Sequence, residues 1–234
     1  MYVFGKNVAK ELISNKRDIK KAYLSKNMID SSIDESLKKL NIKISYLNKN
    51  ELDKMESGNH QGVILEIPDF SYLTESDMFN NMGDNPFILI LDHISDPHNF
   101  GAIIRTAEAA SADFIVIPKD RSVKVNSTVM KTSAGALNNV KIVQVTNINN
   151  LINKLKKKGV WVVGTDMESD VSYDSVDYNM PVALIIGSEG FGISNLVRKN
   201  CDYVVFIPMF GKINSLNASV AAGILMYEVV RQRK

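Results

Sequence analysis

The stretch "FILILDHISDPHNFGAIIRTAEAASADFIVIP", residues 87–118, decides how the chain is read. Its two ends are apolar runs of strand length, and unbroken hydrophobicity marks strands covered on both faces. Between them Phe100, Ile103, Ile104 and Ala107 recur at i, i+3, i+4 and i+7, the stripe of a helix for which Asn99 is the expected N-cap. Four further runs repeat the theme: "VKIVQV" at 140–145, "VWVVGTD" at 160–166, "VALIIG" at 182–187 and "YVVFIP" at 203–208. Helical stretches such as "NINNLINKLKKKG" separate most of them. The expected fold class is α/β with a parallel sheet. Ligands of such sheets lie beyond the carboxyl ends of the strands, so chemistry is sought after Asp92, Gly164, Gly187 and Pro208.

Residues 1–68 read as a small α/β module. "YVFG" opens it, followed by a helical "NVAKELIS", "KAYLS", a helical "SSIDESLKKL", "KISYL" and a final strand "GVILEI". Residues 69–84, "DFSYLTESDMFNNMGD", hold four acidic and no basic residues without a periodic apolar pattern, and are expected to be a linker. The larger block is then 85–234. The lysine-rich "KKLNIKISYLNKNELDK" at 38–54 is either a solvated surface or an RNA-facing patch.

A chain of 234 residues needs no disulfide or metal staple, and its net charge of +2 announces no global basicity. The single cysteine, Cys201, excludes an internal disulfide framework and reads as a small buried hydrophobe. With only three histidines, no structural metal site is expected. No apolar run reaches eighteen residues, and Lys6, Asn7 and Lys10 stand where a signal peptide needs its apolar stretch. A cytoplasmic location, with no membrane partner, is expected.

Three loops could carry chemistry. After the first, Gly101, Arg105 and Glu108 share a helix face distinct from the buried stripe, which leaves room beside the guanidinium for a phosphate or polarised oxygen. The alternative is a surface ion pair of Arg105 with Glu108 or Asp92. The second, "IIGSEGFGIS", spaces its glycines as G-x-x-G-x-G, which fits neither a dinucleotide fingerprint nor a phosphate loop. Glu189 there either meets a ligand or sits exposed on a tight turn. The third, "IPMFGKINSLNASVAAG", places polar residues between a strand and a helix apolar from Ala218 to Val230 apart from Ser219 and Glu228. Ser215 or Asn214 is the expected cap, with Asn217 in the first turn. So apolar a helix is buried on more than one side, by the sheet and either a second subunit or the rest of the monomer.

"NFGAIIRTAEAA", "IIGSEGFGIS" and "IPMFGKINSLNASVAAG", in this order, resemble the three motifs of the SpoU (TrmH-like) RNA ribose 2'-O-methyltransferases. "GNHQGVILEI", "DPHN" and "IPKDRS" extend the resemblance over nearly the whole chain, toward the bacterial enzymes that methylate a guanosine ribose of 23S ribosomal RNA. The resemblance implies a C-terminal trefoil knot, an exception to the rule that chains do not thread. It also implies a small N-terminal RNA-binding domain, a homodimer, and S-adenosylmethionine held in the knot. By motif position Gly187, Ile207 and Leu216 line the cofactor pocket, with Gly164, Thr165 and Met209 beside them. The family's functional positions fall on Asn99, Arg105, Glu189, Ser215 and Asn217.

The implied reaction is attack of a ribose 2'-oxygen on a sulfonium methyl, with no metal. A 2'-hydroxyl is a poor nucleophile, so the site must stabilise developing charge or take the proton. An arginine guanidinium keeps its charge in proteins. Arg105 is therefore expected to hold the oxyanion or an adjacent phosphate, Glu189 to orient it or accept the proton, and Asn99 and Asn217 to fix geometry. A transfer-RNA substrate, and a non-catalytic RNA-binding protein on the same fold, are the alternatives. A nicotinamide-dependent oxidoreductase lacks its glycine fingerprint.

Overall fold

The computed structural model describes residues 1–27, 31–56, 58–188, 192–213 and 215–234. These fall into two compact units, Met1–Ser71 with Val125–Lys131, and Tyr72–Lys124 with Thr132–Lys234.

The smaller unit holds strands β1 (Tyr2–Phe4), β2 (Lys21–Ser25), β3 (Ile44–Leu47) and β4 (Val63–Glu66) and helices α1 (Lys6–Ser14), α2 (Ser31–Lys39) and α3 (Lys49–Met55). Its sheet runs β1-β4-β2-β3, antiparallel except for the β2–β3 pair. Val3, Leu12, Ala22, Leu24, Ile33, Leu37 and Leu65 form its core. Helix α3 overlaps the end of the lysine-rich stretch, where no helix was expected. Its signal is a capping box, in which Asn48 and Glu51 satisfy each other's backbone N–H groups.

The larger unit contains α4 (Glu75–Asn81), β5 (Phe87–Leu91), α5 (Pro97–Ala109), β6 (Phe114–Pro118), β7 (Ile142–Val145), α7 (Ile148–Lys157), β8 (Trp161–Thr165), β9 (Val182–Ile186), α8 (Asn195–Asn200), β10 (Tyr203–Val205) and α9 (Ala218–Arg233), whereas α6 (Ser127–Thr132) belongs to the smaller unit in all but its last residue. Six strands pair in the order β10-β8-β9-β5-β6-β7, every neighbouring pair parallel. Every residue of β5 and β9 is buried, as unbroken hydrophobicity requires. Each fully buried Ile, Leu or Val side chain contributes about 1.5–3 kcal/mol.

Helix α5 presents Phe100, Ile103, Ile104 and Ala107 inward, all fully buried. Its cap, however, is Asp96 rather than Asn99: the Asp96 carboxylate accepts the Asn99 N–H at 2.8 Å, and Pro97 occupies the first helical position. Proline there loses no hydrogen bond, so Asp-Pro is the stronger start signal. Helix α9 likewise starts later than Ser215. Asn217 is its cap, accepting from the Ser219 backbone at 2.9 Å and hydroxyl at 2.6 Å, and so is not a first-turn residue. Asn214, the alternative cap, lies outside the described residues.

The stretch expected to be a linker is structured in part. Leu73 pairs with strand β7 by accepting from and donating to its backbone, Thr74 and Asp77 form a capping box, and Met78 of α4 is fully buried in the core beneath the sheet. Seven residues are too few to show a helical period, which is why composition alone suggested solvent. Met78→Ala should accordingly cost about 2–5 kcal/mol in a urea unfolding experiment. A loss below about 0.5 kcal/mol would mean a solvated tether.

Candidate active site

The carboxyl ends of β8, β9 and β10, with the start of α9, enclose a cavity of about 390 Å³. Glycine makes its turn possible. A Cβ on Gly187 would sit 2.1 Å from the carbonyl carbon of Gly192, so no other residue fits without moving the backbone. Ser188 and Gly192 pair with each other, each N–H donating to the other's carbonyl at 3.0 and 2.9 Å. Two residues on, the Ser194 N–H donates to the Asp92 carboxylate at 2.9 Å, which ties this loop to the end of β5.

The cavity is two-ended. Ile186, Val205 and Leu225 give it an apolar floor, and Asp166, Glu168 and Arg198 a charged rim. The Arg198 guanidinium stands 3.0 Å from the Asp166 carboxylate and 3.3 Å from that of Glu168. None of these three was among the expected site residues. The loop of Asp166 and Glu168 was, since it follows Gly164 and Thr165, but an ion pair to Arg198 of α8, 30 positions from Glu168, leaves no local pattern.

Of the expected cofactor residues, Thr165, Gly187, Ile207, Met209 and Leu216 all line the cavity, as does Ser215. Gly164 stands one layer behind. A Cβ there would press to 2.7 Å on both Cys201 Sγ and Ile193 Cδ1, so Gly164 lets α8 close on β8. Cys201, partly buried, packs against the core, and burial pushes its thiol up to about 12, which disfavours the reactive thiolate.

Asn99, Arg105 and Asn217 are not among the residues that line that cavity. Asn217 Nδ2 donates to Asn99 Oδ1 at 2.9 Å, joining the cap of α9 to the first turn of α5 across 118 positions of sequence. Asn217 is two residues from the cavity-lining Ser215, so the amide pair adjoins the cavity's end. Arg105 lies six residues, about 9 Å, further along α5 than Asn99. It is exposed and makes no ion pair or hydrogen bond among the described residues. The expected alternative of an Arg105 ion pair is not found: Glu108 accepts from Asn139 at 3.0 Å, and Asp92 from Ser194 and His93. Glu189 lies outside the described residues.

The smaller unit carries a cleft of its own, of about 610 Å³, lined by Lys6, Asn27, Lys49, Asn59 and Gln61 among others. Buried His60 braces it, bonding Asp53 at 2.9 Å through Nε2 and accepting the Gly62 N–H at 3.0 Å through Nδ1.

A model of the SpoU rRNA Methylase family matches residues 86–227. The chain belongs to that family. A second model, for RNA 2'-O ribose methyltransferase substrate binding, matches residues 2–73. The "Putative TrmH family tRNA/rRNA methyltransferase YacO" of Bacillus subtilis is 43% identical over 99% of this chain and 96% of its own. A TrmH family tRNA/rRNA methyltransferase, also named putative, of Staphylococcus saprophyticus is 40% identical over 99% and 95%. In fold, the chain superimposes with a TM-score of 0.77 on the SpoU methyltransferase AviRb of Streptomyces viridochromogenes in complex with AdoMet, at 24% identity, covering all of this chain and 90% of that one. The chain is thus an RNA methyltransferase of the SpoU family. No helix among its described residues is long and apolar enough to cross a membrane.

The SpoU methylase geometry makes one side chain both a cap and a bridge. Asn217→Ala should lower stability by about 1–2 kcal/mol, the cost of a lost helix cap, measured by denaturant unfolding. An unchanged midpoint would show that the cap and the Asn99 contact contribute nothing.

Proposed function

We propose that the enzyme transfers the methyl group of S-adenosylmethionine to a ribose 2'-hydroxyl of RNA, at a guanosine of 23S ribosomal RNA. The observation that carries this reading is the closeness of a small-molecule cavity to the Asn99–Asn217 pair, reached through Ser215. The cavity suits the methyl donor. Its volume falls in the range of about 300–1,000 Å³ typical of ligand sites, its floor suits an adenine, and its rim offers charge of both signs to an amino-acid tail. Gly187, Ile207 and Leu216 would hold the donor largely through backbone, with Thr165 and Met209 beside it and Gly164 behind. The donor supplies an electrophilic methyl group on sulfonium.

The chain's own residues supply the rest. Asn99 and Asn217 hold one another, and with Ser215 orient the ribose. Arg105 stabilises charge developing on the 2'-oxygen or neutralises the neighbouring phosphate, with Glu189 to orient it. The cleft in the smaller unit, with Lys6 and Lys49 among three amides, suits a phosphate backbone and unpaired bases. A transfer-RNA substrate is the second reading, supported by relatives named for both RNAs. Both substrates place the enzyme in the cytoplasm.

The trefoil knot and the homodimer belong to the same proposal. The knot is supported by strand order: β9 enters between β8 and β5, β10 then returns outside β8, and the chain goes on to α9. The dimer is supported by α9, where Val220 and Tyr227 are half exposed on one face. A second copy would cover them.

Incubation with labelled methyl donor and total RNA, followed by mass-spectrometric mapping, should place the label on a 23S guanosine ribose. Label confined to transfer RNA would select the second reading, and no label at all would reject both. Arg105→Ala should bind the donor normally and transfer at least about 100-fold more slowly, the size of a lost oxyanion contact. Sedimentation should give a dimer for the native chain and a monomer for Tyr227→Asp. A native monomer would remove the dimer.

A further inference from the structure

Asp92 and His93, which end β5 and open the loop to α5, form a dyad that the roles above leave unused. Asp92 is 1% exposed and meets no arginine or lysine in an ion pair among the described residues. Its oxygens accept instead from the Ser194 N–H at 2.9 Å and from His93 Nδ1 at 2.6 Å. An ionised carboxylate can only accept, so Nδ1 is the donor of this pair, and the neutral tautomer that the pairing selects has its lone pair on Nε2. That nitrogen makes no hydrogen bond among the described residues, and the side chain is 44% exposed. His60 shows the contrast: both of its ring nitrogens are engaged and it is buried, so it can only brace.

The backbone holds this imidazole in place. His93 sits at φ +62°, a left-handed conformation uncommon for residues other than glycine. It is fixed from both sides, by the Asp92 N–H donating to Ile186 at 2.8 Å and the Ile94 carbonyl accepting from Val123 at 3.0 Å. Strain that the surroundings overdetermine gathers at functional sites. The location agrees. Through Ser194, the dyad is bonded to the loop that lines the cavity, and its own loop leads to Asn99.

We propose that His93 is the general base of the methyl transfer, with Asp92 as its positioning residue; the inference rests on the function proposed above. The 2'-O–H bond yields its proton to His93 Nε2 as the oxygen forms its bond to the methyl carbon. The carbon–sulfur bond breaks with its electron pair left on sulfur, and the imidazolium then releases the proton to water. Asp92 holds the tautomer and steadies the transient positive charge, the division of labour seen wherever a buried carboxylate backs a histidine base.

The test is chemical rescue. Glycine suits φ +62°, so His93→Gly should keep its melting temperature and its calorimetric affinity for S-adenosylmethionine while methyl transfer falls about 10²–10⁴-fold, the range for a lost general base. Added imidazole should restore at least about tenfold of that loss, which a purely structural histidine would not allow. Transfer within about threefold of the native rate, or a loss that imidazole leaves untouched, overturns the proposal. Nitrogen-15 spectra of the native protein, with only three histidines to assign, give a second reading: a neutral His93 protonated at Nδ1 supports Asp92's role, and one protonated at Nε2 overturns it. A native enzyme that methylates no RNA would sink the underlying function instead.

Discussion

A sheet buried on both faces can hold a polar side chain along its length only where that group finds a hydrogen-bond partner, since an unpaired one costs several kcal/mol. Strands β5 and β9 meet this condition throughout, and it governs everything around them. Polar chemistry is confined to the strand ends. At the carboxyl ends it collects in loops from three distant parts of the chain, which must then be held together. Among the described residues, bonds that do so are Asp92 to the Ser194 backbone, Asn99 to Asn217, and the backbone pair of Ser188 and Gly192.

These bonds differ in kind. The Asn99–Asn217 contact joins neutral amides at the N-terminal ends of two helices, where aligned peptide dipoles favour negative charge. Neither amide brings a charge that would offset that field. Arg105 stands apart, exposed and without a counter-ion among the described residues. Asp92 is the reverse, a shielded carboxylate satisfied by an amide and a ring nitrogen. Wall, cation and carboxylate are thus kept from cancelling one another.

Much of this was legible in the sequence. The six strand runs appear as parallel strands, because double burial enforces unbroken hydrophobicity, and the Phe100, Ile103, Ile104 and Ala107 stripe is buried because a 3.6-residue period has few other causes. The helix starts were misplaced where two polar residues competed to cap. Asp96 displaced Asn99 because proline follows it, and Asn217 displaced Ser215 because the amide also reaches α5. Helices α3 and α4 are only seven residues long, too short to show a period. The Asp166–Arg198 ion pair and the Asp92–Ser194 bond were invisible for a different reason, since they join segments that only the folded sheet brings together.

Helix α9 supplies one wall of the cavity through Ala218, Ala221 and Leu225, and its far end is clamped by Arg233, whose guanidinium bonds the carbonyls of Tyr178, Met180, Asn85 and Pro86. Asn85 lies 148 positions earlier. A molecule that has paired all six strands therefore still has no finished pocket until α9 docks. Closing such long loops is entropically slow, so newly made molecules would pass through a sheet-complete, wall-less stage with apolar floor residues open to chaperones.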